Sequence, residues 1–314
     1  MDKVTAMALD DVDVELVDAL RRDGRASFES LADTIGLSRR ATRTRVQRIL
    51  DDGVVRVVAT VRPEFDGIHA IAHLSVGVSS TDRDEVARAI TELDESVFVS
   101  IVSGQSAVVA EVRTATLTRL ADVVDQVRGI AGVRDVDTVV YTDVLKEPHL
   151  PPPSALPGVG DSERAIDDLD RALVARLRTD GRASYADLAQ QVGLSAAATR
   201  ARVRRLIDLD QIRVVALVDP TRLGRAYMTG VALTFDRAAG TVLDRIAAID
   251  AVDFLARTLG ACDAMATIVT PGPDETVAVL DRLGAVDGVQ LIRSWTHLRL
   301  VKERYDHTPP VTEE

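Results

Sequence analysis

The chain has 314 residues and a formal net charge of −11 at pH 7, with 38 lysines and arginines against 49 acidic residues. This length allows two to four compact domains, and it contains no run of about 18 apolar residues that would span a membrane. The N-terminus lacks a basic segment followed by an apolar one, so we expect no secretion signal and predict a cytoplasmic protein. Cys262 is the single cysteine, which excludes an intrachain disulfide and argues against a zinc site. We therefore predict no cofactor and no metal.

The charged residues are biased in type as well as in sign. Arginine supplies nearly all basic charge, since lysine occurs only as Lys3, Lys146 and Lys302, and aspartate supplies most of the acidic charge. This balance is typical of salt-accumulating halophiles, whose surface carboxylates stay hydrated where the Debye length is only a few ångströms. A GC-rich genome would favour the same residues. We take the haloarchaeal origin as a hypothesis.

The first block of the chain, residues 1–66, has the pattern of three short helices. Val12, Leu16 and Leu20 follow helical spacing, and after the turn "DGRA" Ser27 is placed to cap a second helix. Gly36 is placed to end that helix, and the next serine begins a third. Three helices with a glycine-containing turn before the last one predict a helix-turn-helix.

The third helix contains the stretch "LSRRATRTRVQRIL", with five arginines and no acid. At about 100° per residue, Thr42, Val46, Ile49 and Leu50 fall on the core side and the arginines around the outer side. Such a face fits the major groove of double-stranded DNA, because arginine and glutamine read base edges and arginine binds phosphates. The alternative is a solvated surface. The predicted DNA contacts in this copy are Ser38, Arg39, Arg40, Arg43, Thr44, Arg45, Gln47 and Arg48.

The second block, residues 67–147, reads strand, helix, strand, strand, helix, strand. Ala70, Ala72, Leu74, Val76 and Val78 alternate with less apolar residues, which is the period of a half-buried strand. The order βαββαβ predicts a four-stranded antiparallel sheet with helices on one face. The uncovered face and the sheet edges then need a partner.

The same sequence pattern occurs twice in the chain. "DGRASFESLADTIGLS" from Asp23 returns as "DGRASYADLAQQVGLS" from Asp180, an offset of 180 − 23 = 157. The predicted domains are a proline-rich linker at 148–165, a second helix-turn-helix at 166–223, a second βαββαβ block at 224–304 and a disordered tail at 305–314. In the third helix of the second copy, alanine replaces several polar residues. We expect the first copy to supply most sequence discrimination and the second mostly affinity, through Arg200, Arg202, Arg204 and Arg205.

Both halves resemble the Lrp/AsnC, or feast/famine, family of transcriptional regulators. The motifs that carry the resemblance are "DGRAS(F/Y)xxLAxxxGLS", "RxRVxRxL", "TLGACDAMATI" and the closing "VLKE" or "LVKE". The resemblance implies an α+β fold: two copies of a winged-type helix-turn-helix domain, each followed by a ferredoxin-like βαββαβ sensor (RAM) domain. It also implies that sensor sheets pair, so that this chain forms its own pseudo-dimer and two chains form a larger homo-oligomer.

In the family, small molecules, usually amino acids, bind at the sensor interfaces beside a Gly-x-x-Asp turn. That turn falls on Gly260 and Asp263, where the carboxylate is suited to an ammonium group, whereas the first copy keeps Gly104 but has Ala107. The alternative is a tight hairpin with a solvated aspartate. The effector contacts implied by the resemblance are Gly104, Gln105, Ser106, Thr138, Gly260, Ala261, Cys262, Asp263 and Ser294.

The predicted function is a sequence-specific transcriptional regulator, not an enzyme, that binds double-stranded DNA and responds to a small metabolite, with an amino acid as the expected effector. Two alternatives stay open. Sirohaem decarboxylases resemble the same family and use histidine and arginine around a tetrapyrrole, and this chain has His69, His73 and His297 in its sensor strands. A sensor that regulates a partner protein without binding DNA would leave the arginines without a use.

Overall fold

A computed structural model describes residues 9–53, 55–79, 83–147, 150, 166–218 and 227–304. The predicted tail at 305–314 lies outside these ranges, as does the linker at 148–165 apart from Leu150. The chain divides into two compact units. One contains both helix-turn-helix blocks and the other both sensor blocks, so like blocks fold together although they are distant in sequence.

The helices and strands follow in chain order. The first half contains α1 Asp11–Arg22, α2 Phe28–Ile35, α3 Arg39–Asp51, β1 Val55–Val61, β2 Ala70–Val78, α4 Arg83–Thr91, β3 Ser96–Val102, β4 Val108–Thr114, α5 Leu117–Arg128 and β5 Val133–Lys146. The second half contains α6 Asp168–Thr179, α7 Tyr185–Val192, α8 Ala196–Asp208, β6 Ile212–Val218, β7 Tyr227–Phe235, α9 Ala239–Ala247, β8 Val252–Leu259, β9 Ala264–Thr270, α10 Pro273–Gly284 and β10 Val289–Glu303.

Local signals in the sequence set the ends of the helix-turn-helix elements. The Ser27 side chain accepts a hydrogen bond from the Ser30 amide and caps α2, while Ser38 accepts one from the Ala41 amide and caps α3. Gly36 ends α2 in the left-handed region at φ 75°. The second copy repeats these caps with Ser184, Ser195 and Gly193. The predicted pair of three-helix blocks is therefore confirmed.

An antiparallel ribbon of β1 and β6 joins the two helix-turn-helix copies, with Val58 opposite Val215. Each "DGRA" turn adds a hydrogen bond to this ribbon, since the Gly24 amide donates to the Val214 carbonyl at 2.8 Å and the Gly181 amide to the Val57 carbonyl at 2.8 Å. A Cβ at either glycine would lie 2.9 Å from the same carbonyl oxygen. Only glycine allows the turn to approach this closely.

Arginines from the same turns cross between the copies. Arg25 and Arg182 each donate two hydrogen bonds to turn carbonyls of the opposite copy, and each guanidinium lies over an aromatic ring there. Arg25 donates to Gly181 and Ala183 at 2.6 and 3.0 Å and lies over Tyr185, and Arg182 donates to Gly24 and Ala26 at 2.6 and 3.1 Å and lies over Phe28. The two helix-turn-helix blocks are thus paired within one chain by reciprocal contacts.

The sensor unit is a closed eight-stranded barrel. The first half forms the order β3-β4-β2-β5 and the second β8-β9-β7-β10, and the pairs β5 with β8 and β10 with β3 close the ring. The predicted βαββαβ order is present in both halves. The edge strands of each half pair with the edge strands of the other half of the same chain, as expected for a pseudo-dimer.

Each half packs its helices on one face of its own sheet. The first core contains Leu74, Val99 and Ile90, and the second contains Leu233, Leu255 and Ile246. The opposite sheet faces meet inside the barrel around a smaller cluster of buried residues. That cluster consists of Val139, Ala232, Cys262 and Met265, flanked by Tyr141 and Trp295.

The two lysines of the closing motifs hold the barrel halves together. Lys146 Nζ donates to the Ala247 and Ile249 carbonyls at the C-terminal end of α9, each at 3.2 Å. Lys302 Nζ makes the equivalent contacts at the C-terminal end of α4, to the carbonyls of Thr91 and Leu93 and to the hydroxyl of Ser96. A compact ammonium with three donors suits the C-terminal carbonyls of a helix. This explains lysine at these positions in a chain that otherwise uses arginine.

We expect Lys302→Met to lower the free energy of unfolding by about 1 to 3 kcal/mol, because two carbonyls and one hydroxyl would lose their donor. Urea denaturation followed by circular dichroism measures the change. Lys146→Met is the matched variant at the equivalent position and should behave alike. A loss below about 0.5 kcal/mol in both variants, the range of ordinary surface substitutions, would contradict the role given to these lysines.

Candidate nucleic-acid interface and sensor turn

The predicted orientation of α3 is confirmed. Thr42, Val46 and Ile49 are fully buried, and Leu50 is partly buried. The outer side of the helix carries six exposed side chains that were predicted to contact DNA. These are Arg39, Arg40, Arg43, Thr44, Gln47 and Arg48. Ser38 occupies the cap and remains exposed.

Two of the predicted arginines are engaged within the protein. Arg45 Nη1 contacts the carboxylates of Asp10 and Asp13 at 2.7 and 2.8 Å, and Arg48 Nη2 contacts Asp13 at 2.6 Å. The Asp13 side chain is only 2% exposed, so it is buried against these arginines. Hydrogen bonding to Arg45 also lowers the pKa of Asp10. Arg45 and Arg48 therefore attach the outer helix to the start of α1.

The second copy repeats this cluster of arginine and aspartate. Arg202 contacts Asp167 at 2.7 Å and Asp170 at 2.9 Å, and Arg205 contacts the fully buried Asp170. Asp10 and Asp167 also cap α1 and α6 in reciprocal capping boxes with the aspartate three residues on. Sequence reasoning missed these acids, although the repeated spacing of two aspartates at a helix start was the available signal.

We expect Asp13→Asn to lower the free energy of unfolding by about 2 kcal/mol, because the charge-assisted hydrogen bonds of both arginines would be weakened. Chemical denaturation of the intact protein measures the loss. Asp18→Asn on the same helix is the control, since Asp18 is 53% exposed and 3.9 Å from Arg21, where a pair contributes little. Equal stability of the two variants would contradict the structural role of Asp13.

The outer faces of the two recognition helices differ in what remains exposed. On α3, the Arg43 guanidinium lies 5.9 Å from the centre of the Phe28 ring, and Gln47 donates to Asp51 at 2.9 Å. On α8, Arg200 and Arg204 are exposed, and the exposed positions beside them include Ala196, Ala197 and Ala201. Both helices thus present positive charge, but α3 carries more hydrogen-bonding groups.

The turn at Gly260 and Asp263 is a hydrogen-bonded hairpin. The Asp263 carboxylate accepts from the Phe235 amide at 2.8 Å, and its own amide donates to the Leu233 carbonyl at 2.9 Å. Gly260 has φ 141°, and a Cβ there would lie 3.2 Å from the Thr138 carbonyl. The turn of the second half therefore lies against the closing strand of the first, and the carboxylate helps to hold the turn.

The other predicted effector residues lie around the two equivalent turns. Gly104, at φ 111°, approaches the Cβ of Trp295, so the first turn meets the closing strand of the second half. Arg293 donates to the Ala261 carbonyl at 2.8 Å, and burial raises the pKa of the Cys262 thiol. Gln105, Ala261 and Ser294 are exposed, Ser106 is partly buried, and the buried Thr138 hydroxyl has no hydrogen-bond partner among the described residues.

Two histidines and the single tryptophan converge inside the barrel. The His73 ring lies 5.5 Å from that of Trp295, whose indole covers Gly230 so closely that a Cβ there would overlap the ring. Burial lowers the pKa of His73 to about 3 and that of His297 to about 4, so both are neutral near pH 7. His69, by contrast, is exposed.

The part of the chain that the structure describes offers neither a metal-ligand cluster nor a membrane-spanning helix. Those residues contain no group of three or more histidine, cysteine, aspartate or glutamate side chains able to hold a metal ion. Within the same ranges, no helix has the length and apolarity needed to cross a membrane.

Sequence comparison identifies the family. The profile of the AsnC-type helix-turn-helix domain matches residues 9–49 and 166–207, and that of the Lrp/AsnC ligand binding domain matches residues 70–150. The transcriptional regulator LrpA of Mycobacterium tuberculosis is 31% identical over 147 residues, which are 46% of this chain and 98% of that protein. The chain belongs to the Lrp/AsnC family. The regulator FL11 of Pyrococcus furiosus is 29% identical over 140 residues, covering 44% of this Lrp/AsnC chain and 93% of its own length.

Among solved structures, siroheme decarboxylase NirDL in complex with an iron-uroporphyrin III analogue aligns with a TM-score of 0.62. The alignment covers 95% of both chains at 12% sequence identity, so it shows a shared fold. The ligand binding domain match of this Lrp/AsnC member includes Gly104 and Ala107, the turn that lacks the carboxylate.

Proposed function

We propose that this Lrp/AsnC protein is a cytoplasmic, sequence-specific transcriptional regulator that binds double-stranded DNA through α3 and α8. The observation that carries the proposal is the exposed arginine face of α3, placed on the outer side of a helix-turn-helix in a chain with a net charge of −11. An acidic chain has little reason to concentrate positive charge there unless a polyanion binds.

The exposed arginines and the arginines bound to aspartate have different roles. Arg39, Arg40 and Arg43 are exposed and available to phosphates and base edges, whereas Arg45 and Arg48 hold the helix at its angle on α1. Phosphate contacts supply affinity, and contacts to base edges supply sequence discrimination. We therefore assign direct DNA contact to Ser38, Arg39, Arg40, Arg43, Thr44 and Gln47, with Arg200 and Arg204 in the second copy.

We further propose that the ferredoxin-like sensor halves bind a small metabolite, with an amino acid as the expected class, where each Gly-containing turn meets the closing strand of the other half. Gly260 against Thr138 and Gly104 against Trp295 are the two contacts of this kind. A ligand that binds these contacts more tightly in one state of the winged-type helix-turn-helix pair than in another would shift the protein toward that state. Effector binding and DNA binding would then change each other's affinity by the same coupling free energy.

The test is DNA binding by the double variant Arg40→Ala and Arg43→Ala. We expect at least about a tenfold loss of affinity for fragments of the native genome, and a salt dependence reduced by about 0.9 for each lost phosphate contact. Arg128→Ala is the control, because Arg128 is exposed on a sensor helix and paired with Asp125. Absence of any retained genomic fragment at native ionic strength would refute the proposal.

The shared fold with a sirohaem decarboxylase raises a second candidate, because His73 and His297 lie inside the barrel. The surroundings of these histidines fit a tetrapyrrole polycarboxylate poorly. Glu111 is the neighbour of His73 across the strand ladder, and Arg113 is paired with that glutamate at 2.7 Å. Sirohaem would then bring carboxylates toward a carboxylate. Stoichiometric quenching of Trp295 fluorescence on sirohaem addition would favour the enzyme, and we expect none.

A further inference from the structure

We infer that α8 reads thymine through its 5-methyl group, so that the two halves of the operator differ in base composition. The inference rests on the proposed DNA-binding function and specifies what the second copy recognises. It is carried by an open depression with an apolar lining on the outer face of that copy and by the polar side chains that occupy the matched positions of the first copy.

The depression has a volume of about 520 Å³. Its apolar surface comes from α8 and from the start of α7, and its charged surface comes from two arginines one helical turn apart. The lining residues are Tyr185, Ala196, Ala197, Arg200, Ala201 and Arg204. The three alanines are exposed, so this apolar surface is part of the face that the helix turns outward.

The first copy has long polar side chains at the same positions. By the repeat offset of 157, Ala196, Ala197 and Ala201 correspond to Arg39, Arg40 and Thr44. Tyr185 corresponds to Phe28, whose ring is covered by the Arg43 guanidinium at 5.9 Å. The outer surface of α3 is therefore more polar than that of α8. The aromatic ring does not distinguish the copies, because a guanidinium lies over it in both, Arg43 over Phe28 and Arg25 over Tyr185.

The chemistry of the depression selects among the four bases. In the major groove, thymine presents a methyl group, and alanine side chains make the apolar contact that suits it. Cytosine lacks that methyl and presents an amino donor, for which the alanines offer no acceptor. The exposed arginines of α3 instead suit guanine, whose O6 and N7 accept a bidentate contact.

Charge strengthens the inference. Compared with α3, α8 has alanines in place of Arg39 and Arg40 and an arginine, Arg204, in place of Gln47, which is a net loss of one positive charge from a surface that faces a polyanion. Fewer charges lower the affinity for any DNA sequence. A preference of α8 for particular bases must then come from contacts other than charge. Apolar contact with thymine methyls is the gain that the depression allows.

The experiment uses the full chain. Selection from random duplexes first yields the preferred operator, and each thymine of that operator is then replaced singly by deoxyuridine, which removes only the methyl group. We expect a loss of about three- to fivefold per methyl in one half-site, corresponding to burial of one methyl group, and no change in the other half-site. The variant with Ala197→Arg and Ala201→Thr should lose this sensitivity and select two similar half-sites.

The outcomes separate the inference from the function on which it rests. Tight binding of a selected operator that ignores deoxyuridine in both halves would refute thymine recognition and leave the regulator proposal intact. Two identical half-sites selected by the unmodified chain would do the same. Failure to retain any duplex would refute both. An unchanged deoxyuridine effect in the Ala197 and Ala201 variant would show that the methyl contact lies elsewhere.

Discussion

Acidification from pH 6.5 to pH 4.5 is expected to remove about 2 kcal/mol of folding free energy for each of His73 and His297. Burial lowers the pKa of His73 to about 3 and of His297 to about 4, below the value near 6.5 in the unfolded chain. Well above pH 6.5 neither state binds the proton, so the contribution to stability is complete. Below it only the unfolded chain takes up protons, and each histidine costs about 1.4 kcal/mol per pH unit.

The double variant with His73→Phe and His297→Phe isolates this effect. Glu147 acts in the opposite direction, because burial raises its pKa to about 8 and stability increases as the pH falls from 8 toward 4.5. That contribution is present in both proteins and cancels in the difference. Urea denaturation at half-unit pH intervals should show a steeper acid loss in the unmodified chain. Parallel curves would contradict the neutral, buried state of the two histidines.

The helix-turn-helix blocks were predictable because their signals are local. Ser27, Ser38 and Gly36 specify helix ends within four residues of themselves, and the buried side of α3 follows from the helical period alone. The sensor strands were predictable for a similar reason, since alternation sets which face is buried. Such patterns do not depend on what the rest of the chain does.

Closure of the barrel depends on contacts that no local pattern contains. The sequence of an edge strand does not specify which strand will pair with it. Here β5 pairs with β8, more than one hundred residues away in the sequence. Lys146 and Lys302 were visible as conserved parts of the internal repeat, but the sequence does not say that each one crosses to a helix end of the other half. Only the folded chain relates these two positions.

The candidate sites show the same limit at the level of single side chains. The helical period places Arg45 and Arg48 beside the outer face, but it cannot reveal that Asp13 turns inward to meet them. Similarly, the turn motif predicted Asp263 as a free carboxylate for an ammonium group. In the folded chain that carboxylate accepts a hydrogen bond from the Phe235 amide. In both cases a distant residue decides what a charged group does.

The largest effect on the helix-turn-helix unit is expected from Gly24→Ala combined with Gly181→Ala. Each added Cβ would lie 2.9 Å from a carbonyl oxygen of the opposite strand, closer than real Cβ atoms approach such atoms. Backbone atoms cannot move aside as a flexible side chain does. We expect each substitution to lower the free energy of unfolding by about 1 to 3 kcal/mol, in the range of overpacked sites.

This substitution should also reduce DNA binding, because the displaced turns carry Arg25 and Arg182, whose hydrogen bonds pair the two copies. Two recognition helices that are no longer held at one separation bind their half-sites almost independently, so the advantage of joint binding is lost. We expect the operator affinity of the double variant to approach that of one copy. Gly240→Ala is the control, since a Cβ there meets no atom within 4 Å. Equal stability and operator affinity of the two proteins would refute this account of the pairing.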